Sequence, residues 1–299
     1  MAIWYAQLAG QNFNAPQQWN SMANGTGDWL DTAVADYSND TFYSNGKIVV
    51  ITNNLTCAQL KQDSNFFRFA GTGLIVNADI EVDTTYGSID IQPDSDVTIY
   101  GDLFANGTEN AAICMYQNNS SLNIYGDIIC TGDNSIGVML TSGDVVANVF
   151  NGTLIAGGEY SACVLSSIYG AAISISNCTL IGGPGYGSNA IRLEDGTCSI
   201  ENSTLIAGEG FFCEAVNSLA YPAVINASNM ISSEYSMPVA GSMVYMPQSQ
   251  NYYEIWAAIT PATMAVVPDA VNIKKGVVCG STVGTLTPAS PFRRLNRLV

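Results

Sequence analysis

Apolar and polar positions along most of this chain repeat about every 25 residues. An apolar residue that follows a turn can be aligned eight times, with successive spacings of 25, 23, 25, 26, 26, 25 and 25 residues. The eight members of this column are Leu55, Ile80, Leu103, Ile128, Leu154, Leu180, Leu205 and Met230. Self-similarity at a fixed period of about 20–50 residues is typical of solenoids, propellers and repeat arrays. The pattern therefore predicts eight stacked repeats.

Each repeat contains short segments in which apolar and polar residues alternate. The segments DVTIYGDLFANG (96–107) and SLNIYGDIICTG (121–132) match at identical offsets. Their period of two predicts β-strands with one buried face. A second short apolar segment follows in each repeat, as in AAICMY (111–116) and SACVLSS (161–167). Each coil therefore supplies at least two strands, separated by turns rich in Gly, Asn and Asp.

The repeat length selects the architecture. A propeller blade needs ~40–45 residues, and a leucine-rich solenoid would carry an LxxLxLxxN signature that does not occur here. We therefore predict an all-β fold, a right-handed parallel β-helix of about eight coils. At ~4.8 Å between neighbouring strands, the rod would be about 38 Å long.

The repeat also divides the chain into three predicted segments. Residues 47–246 form the β-helix. Residues 1–46 precede the first repeat and are rich in Trp, Gln and Asn, so we expect an N-terminal cap or attachment segment that covers an open end of the stack. Residues 247–299 leave the repeat, a change marked by Pro247, Pro261 and Pro268, and we expect a small C-terminal β module there.

Charge is unevenly distributed along the chain. Residues 1–269 carry 4 − 25 = −21, and the last 30 residues carry +5. An acidic body disfavours nucleic acid and anionic membranes as partners, so the basic tail is the candidate assembly contact with an acidic neighbour. Its cations are Lys274, Lys275, Arg293, Arg294 and Arg297.

Several classes of site are disfavoured by what the sequence lacks. The chain has no His, and its eight cysteines include no CxxC pair, so neither a zinc site nor a His-based catalytic triad is expected. We expect buried free thiols and no cofactor. The first 30 residues do not resemble a signal peptide, and no apolar run approaches ~18 residues, so we expect synthesis in a host cytoplasm and no membrane span.

Asn-x-Ser/Thr sequons occur once per coil at Asn151, Asn177, Asn202 and Asn226. They could mark glycosylation of a secreted protein. Their regular position favours a structural interpretation instead, in which the asparagines stack inward and satisfy buried backbone groups.

An aromatic residue also recurs once per coil, at Tyr100, Tyr125 and Phe150. Because these residues alternate with apolar neighbours, we expect them to face outward. An exposed aromatic row could bind sugar rings or a neighbouring subunit. It could also pack beneath a loop, and the sequence leaves these alternatives open.

Acidic residues in the repeat raise the question of glycosidase or lyase activity. The candidate carboxylates are Asp90, Asp94, Asp96, Glu194 and Asp195. Their spacing is not diagnostic of a catalytic pair, and outward-facing acids on a solvated rod explain them more simply. Arg192 could serve a lyase as its base, but an ion pair with the nearby acids is the simpler interpretation.

Two segments resemble known proteins. NIKKGVVCGSTVGTL (272–286) resembles a short module near the ends of phage tail and other virion proteins, in which an Ile-Lys-Lys-Gly-Val core leads to Val-Gly-Thr-Leu; it departs from the common form at Cys279 and Ser281. DTFYSNGKIVVITNNLTCAQL (40–60) is similar to the start of β-helical virion and adhesin proteins. With the repeat, the resemblance covers most of residues 40–286.

This resemblance implies a tail spike, a tail fibre or a head-attached decoration protein, often trimeric, and it transfers no catalytic residues. We therefore expect a non-enzymatic structural protein of a phage particle, located in the virion and attached to other virion proteins through its termini. A homotrimer is favoured, and a host-surface glycan is a candidate ligand. One alternative is a spike that binds or degrades polysaccharide, as a glycosidase or lyase. The other is a bacterial surface adhesin.

Overall fold

The computed structural model describes residues 2–30, 37–63, 67–85, 88–116, 119–218, 223–227, 229–231, 236, 238–246, 251–255, 278–279 and 282–283. Within these ranges the chain forms strands and turns and no helix. The strands stack in parallel as a β-solenoid. This confirms the predicted parallel β-helix, whereas its right-handed path stays a prediction.

Each turn contributes strands to three parallel columns. The first column contains Leu55–Gln62, Leu74–Val82, Asp96–Tyr100, Ser121–Tyr125, Val146–Phe150, Ala172–Ser176, Thr197–Glu201 and Ala223–Asn226. The second contains Ile3–Ala6, Thr41–Tyr43, the later parts of Leu55–Gln62 and Leu74–Val82, Leu103–Ala105, Ile128–Cys130, Thr153–Ala156, Thr179–Ile181, Thr204–Ile206 and Asn229–Ile231. The third contains Gln11–Asn12, Val49–Ile51, Phe67–Phe69, Ile89–Ile91, Ala111–Met115, Ile136–Leu140, Ala162–Ser166, Asn189–Leu193, Val216–Ser218 and Val239–Met246.

The alternation within each strand builds the core. Val97 and Ile99 are fully buried, whereas Thr98 between them is partly exposed. Ile99 pairs with Ile124 in the next coil, and the same inward positions repeat along the rod. Inward side chains of the three columns form one continuous apolar cluster. Each coil is therefore stabilised by its neighbours through shared packing and backbone hydrogen bonds.

The predicted column of apolar residues is correct from Ile80 to Met230 and wrong at its first member. Leu55 pairs with Val76 in the first column, and Leu60 is the residue that pairs with Ile80. The strand Leu55–Gln62 has a register shift between Thr56 and Gln59. The coil between Leu60 and Ile80 is only 20 residues long, which is why a fixed period of 25 selects the wrong residue.

The ladder of parallel strands crosses the predicted boundary at residue 46. Ile3–Ala6 pairs in parallel with Thr41–Tyr43, and its other edge pairs antiparallel with Trp19–Asn20. Aromatic rings pack together at this end, with centroids of Trp19 and Phe42 4.7 Å apart. Residues before the boundary therefore extend the columns; the role of residues 1–46 as a cap stays a prediction.

At the other end, Val239–Met246 pairs antiparallel with Asn251–Ile255. A short antiparallel pair, Val278–Cys279 with Thr282–Val283, lies within the segment that resembles a virion module. The rest of the predicted C-terminal module, within 247–299, lies outside the described residues.

Three corners connect the columns, and many of their residues have a left-handed backbone. The first corner connects the first column to the second, and the second corner connects the second column to the third. The third corner connects the third column to the first column of the following coil. First-corner residues with positive φ are Asn151, Asn177 and Asn202. From residue 94 onward, those of the second corner are Glu109, Asn134, Tyr160, Gly187 and Phe212, and those of the third are Asp94, Asn119, Asp144, Gly170 and Gly196.

The predicted inward asparagine stack is wrong. Asn151, Asn177 and Asn202 are exposed, with φ of 59°, 55° and 49°. Asn tolerates the left-handed region better than most residues, and this explains its recurrence. The residue after each Asn is buried, and a Thr then begins the next strand, so the sequon pattern follows from the shape of the corner.

The first corner changes length without disturbing the strands around it. Tyr125 pairs with Phe150, and Ile128 pairs with Leu154. Two residues separate Tyr125 from Ile128, and three separate Phe150 from Leu154. The additional residue is accommodated by the left-handed Asn151.

Candidate recognition surface

The structure places the predicted aromatic row on the outside of the first column. Tyr100 is 47% exposed, Tyr125 is 38% exposed, and Phe150 is half-buried. The outward orientation follows from the strand alternation, since Ile99 and Ile124 point into the core. The row is flanked by polar residues, because Tyr100 pairs with Asn77 and Phe150 pairs with Ser176.

The rings of this row stack on one another along the rod. The centroids of Tyr100 and Tyr125 are 4.9 Å apart with an angle of 18° between the planes, and those of Tyr125 and Phe150 are 4.8 Å apart with 19°. Both faces of the Tyr125 ring are therefore covered by its neighbours. Only the terminal rings, Tyr100 and Phe150, keep a face that no other ring of the row covers.

A row of polar side chains lies beside the aromatic row on the same face. Asn148 Nδ2 donates to Asn123 Oδ1 at 2.9 Å, and Asn123 Nδ2 approaches Thr98 Oγ1 at 3.5 Å. These amides bond to one another between successive coils. They hold the outer face of the first column in register.

A second aromatic group, which sequence analysis missed, lies at the second corner. We call Tyr160, Tyr186, Phe211 and Phe212 the corner cluster. They are 44–58% exposed. Tyr160 and Tyr186 have centroids 5.3 Å apart at 66°, and Tyr186 and Phe212 are 5.5 Å apart at 76°. Their edge-to-face packing contrasts with the stacked row.

The backbone fixes this cluster between successive coils. Tyr160 N donates to Tyr186 O at 2.8 Å, and Gly187 N donates to Phe211 O at 2.9 Å. Tyr160, Tyr186 and Phe212 recur at intervals of 26 residues in the sequence, although Gly187 rather than Tyr186 occupies the backbone position equivalent to Tyr160 and Phe212. The turn segments GGEY (157–160) and GPGYGSN (183–189) are rich in Gly, and this composition indicates only a connection between strands.

The second column carries a third outward row, also missed, and it is apolar throughout. Its six residues pair in sequence from coil to coil, and all are half-buried. They are Phe104, Ile129, Ile155, Ile181, Ile206 and Ile231. A continuous apolar row of this length on an outer face is typical of a surface that contacts another chain.

The structure places the candidate carboxylates in separate settings. Burial raises the pKa of Asp90, an effect opposed by Arg68, whose Nε lies 3.7 Å from Asp90 Oδ2. Asp94 occupies a left-handed third-corner position, and Asp96 accepts a hydrogen bond from Ser121. Each acid therefore has a local structural role.

The ion pair expected at Arg192 is confirmed. Arg192 Nη2 lies 2.7 Å from Glu194 Oε1. The neighbouring Asp195 accepts a hydrogen bond from Gly196 N at 2.6 Å, at a residue with positive φ. The pair and this turn explain these three charged residues.

A buried carboxyl group that sequence analysis did not single out follows the corner cluster. Glu214 is 5% exposed, and its Oε2 accepts a hydrogen bond from Asn217 Nδ2 at 3.3 Å. Burial raises the pKa of this carboxyl. A buried acid with a raised pKa is a candidate proton donor.

Seven cysteines are free and buried, as expected: Cys57, Cys114, Cys130, Cys163, Cys178, Cys198 and Cys213. Burial raises the pKa of Cys57 and Cys198 to about 12. These thiols are therefore protonated at neutral pH and act as small apolar side chains.

Other predicted contacts fall outside the part of the chain that the structure describes. This applies to Lys274, Lys275, Arg293, Arg294 and Arg297. Among the described residues, no three acidic or cysteine side chains converge in a way that could hold a metal ion. Those residues also include no helix long and apolar enough to cross a membrane.

The stacked columns define the chain as a parallel β-helix protein with outward rows of aromatic and apolar side chains. Comparisons with protein-family models, with curated proteins and with solved structures find no match.

Proposed function

We propose that this chain is a non-enzymatic structural protein of a virus particle, most consistent with a phage, in which the β-helix is a rigid stem or knob attached through its termini. The observation that carries the proposal is the unbroken parallel ladder, which holds outward rows in register from coil to coil. The resemblance of residues 40–60 and 272–286 to virion proteins supports the same assignment.

The proposal is tested by cryo-EM of purified particles of the virus whose genome encodes the chain. We expect a rod with repeating density attached to the head or the tail, and particles without such density would refute the assignment. Deleting residues 291–299 removes Arg293, Arg294 and Arg297, so incorporation into particles should fall. A charge-neutral variant with the three arginines replaced by Gln separates the effect of charge from that of chain length.

Self-association, with a trimer favoured, is part of the proposal. It is supported by the apolar row from Phe104 to Ile231, since an acidic body can approach a second copy best across an uncharged face. Replacing Ile155 with Lys should reduce the mass measured by light scattering. Ser174→Lys on the first column is the matched control, and an equal effect of both variants would contradict this interface.

A polysaccharide-degrading spike is the second candidate function. The observation that favours it is the buried carboxyl group of Glu214, whose pKa is raised by burial. A glycosidase needs a carboxylic acid with a raised pKa. Incubation with host capsular or lipopolysaccharide sugars should then shorten the chains, and Glu214→Gln should abolish this. Unchanged sugar length with the wild-type protein would leave the non-enzymatic assignment standing.

A further inference from the structure

We propose that the corner cluster is a binding surface for a neutral glycan. The starting observation is where left-handed residues with bulky side chains occur. At the first and third corners, the positive-φ residues from Asp94 to Asn202 are all Asn, Asp or Gly. The second corner alone contains others, namely Glu109, Tyr160 and Phe212.

This placement of aromatic residues is unfavourable for the backbone. L-amino acids with a Cβ are penalised in the left-handed region, and bulky ones are unusual there. Residues with a lower backbone strain occur at the same position of the second corner in neighbouring coils, namely Asn134 before Tyr160 and Gly187 after it. Yet Tyr160 and Phe212 project their rings into solvent, at 47% and 58% exposure. Strain retained at exposed side chains points to a functional role.

The arrangement of the rings suits sugars better than the stacked row does. A sugar ring packs its C–H face on an aromatic face. In the stacked row both faces of Tyr125 are covered by nearly parallel rings, whereas the rings of the corner cluster meet at 66° and 76° and do not stack face on face. The glycan contact that the sequence suggested for Tyr100, Tyr125 and Phe150 is thus better assigned to the second corner.

The charges around the cluster select the class of sugar. The same corner carries the exposed acids Glu109, Asp133, Glu159 and Glu209. Its segments 106–110, 131–135, 157–161, 182–188 and 207–213 contain no Lys or Arg. Carboxylates accept hydrogen bonds from sugar hydroxyls but repel uronic, sialic or sulfated units. The ligand should therefore be uncharged.

The size of the patch argues against a protein partner. Aromatic side chains bury roughly 150–250 Å² each when fully covered, so four half-exposed rings offer about 400 Å². A stable protein interface uses about 800 Å² per partner. Like-charged acids on the same corner would also oppose a second copy of the chain. A short stretch of oligosaccharide fits the patch.

The test uses the full chain and neutral hexose oligosaccharides, namely glucan, mannan and galactan hexamers, with an oligogalacturonide hexamer as the anionic comparison. Isothermal titration calorimetry should show binding of at least one neutral probe and none of the anionic one. Tyr160→Asn and Phe212→Asn should each weaken that binding at least tenfold. Tyr125→Ala, in the stacked row, should leave it unchanged.

Thermal melts of the same variants separate recognition from packing. Asn relieves the left-handed strain, so Tm should stay level or rise by up to about 4 °C. A fall in Tm in both Asn variants would mean that the rings are structural and would overturn the proposal. So would failure of every neutral probe to bind, equal binding of the anionic probe, or a loss of oligomer mass in the Asn variants. None of these outcomes bears on whether the chain is present in virus particles.

Discussion

Replacing Gly132 with Ala should destabilise the stack, because the backbones of two neighbouring coils approach closely at this glycine. An added Cβ would lie 2.1 Å from the carbonyl oxygen of Gly107 and 2.9 Å from that of Asn106. Real Cβ atoms essentially never approach closer than 3.0 Å. Both obstructing atoms belong to the backbone, so no side-chain rotation relieves the clash, and the two coils must separate.

The cost follows from the bonds at that corner. Thr131 N donates to Ala105 O at 3.0 Å, and Glu109 N donates to Asp133 O at 2.9 Å. A separation of nearly 1 Å would weaken both bonds, at ~0.5–1.5 kcal/mol each. Overpacking adds ~1–3 kcal/mol. We expect a loss of roughly 3 kcal/mol in the free energy of unfolding, or about 6–12 °C in Tm.

Circular dichroism melts measure this change, with Gly143→Ala as the control. A Cβ at Gly143 would meet only Tyr169 O, at 3.1 Å, so a shift of tenths of an ångström suffices. A Gly132→Ala variant that melts within 1 °C of wild type would show that the two coils accommodate a Cβ at this position without separating. An equal fall in the control would show that glycine at corners matters for another reason.

Three further predictions concern the core, pH and thiols. Ile124→Ala, at a fully buried position, should reduce the free energy of unfolding by ~2–5 kcal/mol in urea denaturation; a loss below 1 kcal/mol would contradict a tightly packed core. Burial raises the folded pKa of Glu214 above its ordinary 4.5, so the folded state binds its proton more tightly and stability falls as pH rises from about 4.5 through the folded pKa. Glu214→Gln should reduce the Tm difference between pH 4.5 and 7. An unchanged difference would show that Glu214 is not the source of this pH dependence. Buried thiols such as Cys198 should react with a thiol reagent at pH 8 only as fast as the protein unfolds; rapid labelling without denaturant would show that they are accessible.

The strand pattern was predictable because it depends on one physical rule. Alternation places Ile99 inside and Tyr100 outside, and both orientations agree with the structure. The alignment from Ile80 to Met230 follows from the same rule. Leu55 was misaligned because the early coils are shorter, and coil length is set by corners rather than by alternation.

The corners were less predictable because hydrophobicity does not encode backbone handedness. The exposed Asn151 and Asn177 look like buried stacking residues when only their regular spacing is considered. Tyr160 and Phe212 lie in turns that Gly residues identify as connections, and turn composition does not indicate that these aromatic side chains are grouped. The stacking of Tyr100 on Tyr125, which covers ring faces, depends on side-chain rotation that a sequence does not reveal.

The variable first corner has a practical consequence for protein engineering. Because Asn151 absorbs an additional residue while Ile128 and Leu154 stay paired, length can be added at this position without a change of strand register. Peptide epitopes inserted after Tyr125 or Phe150 would be displayed at a fixed height along the rod. Two such insertions in neighbouring coils would lie about 4.8 Å apart along the axis, so the molecule could present two peptides at a short, fixed spacing.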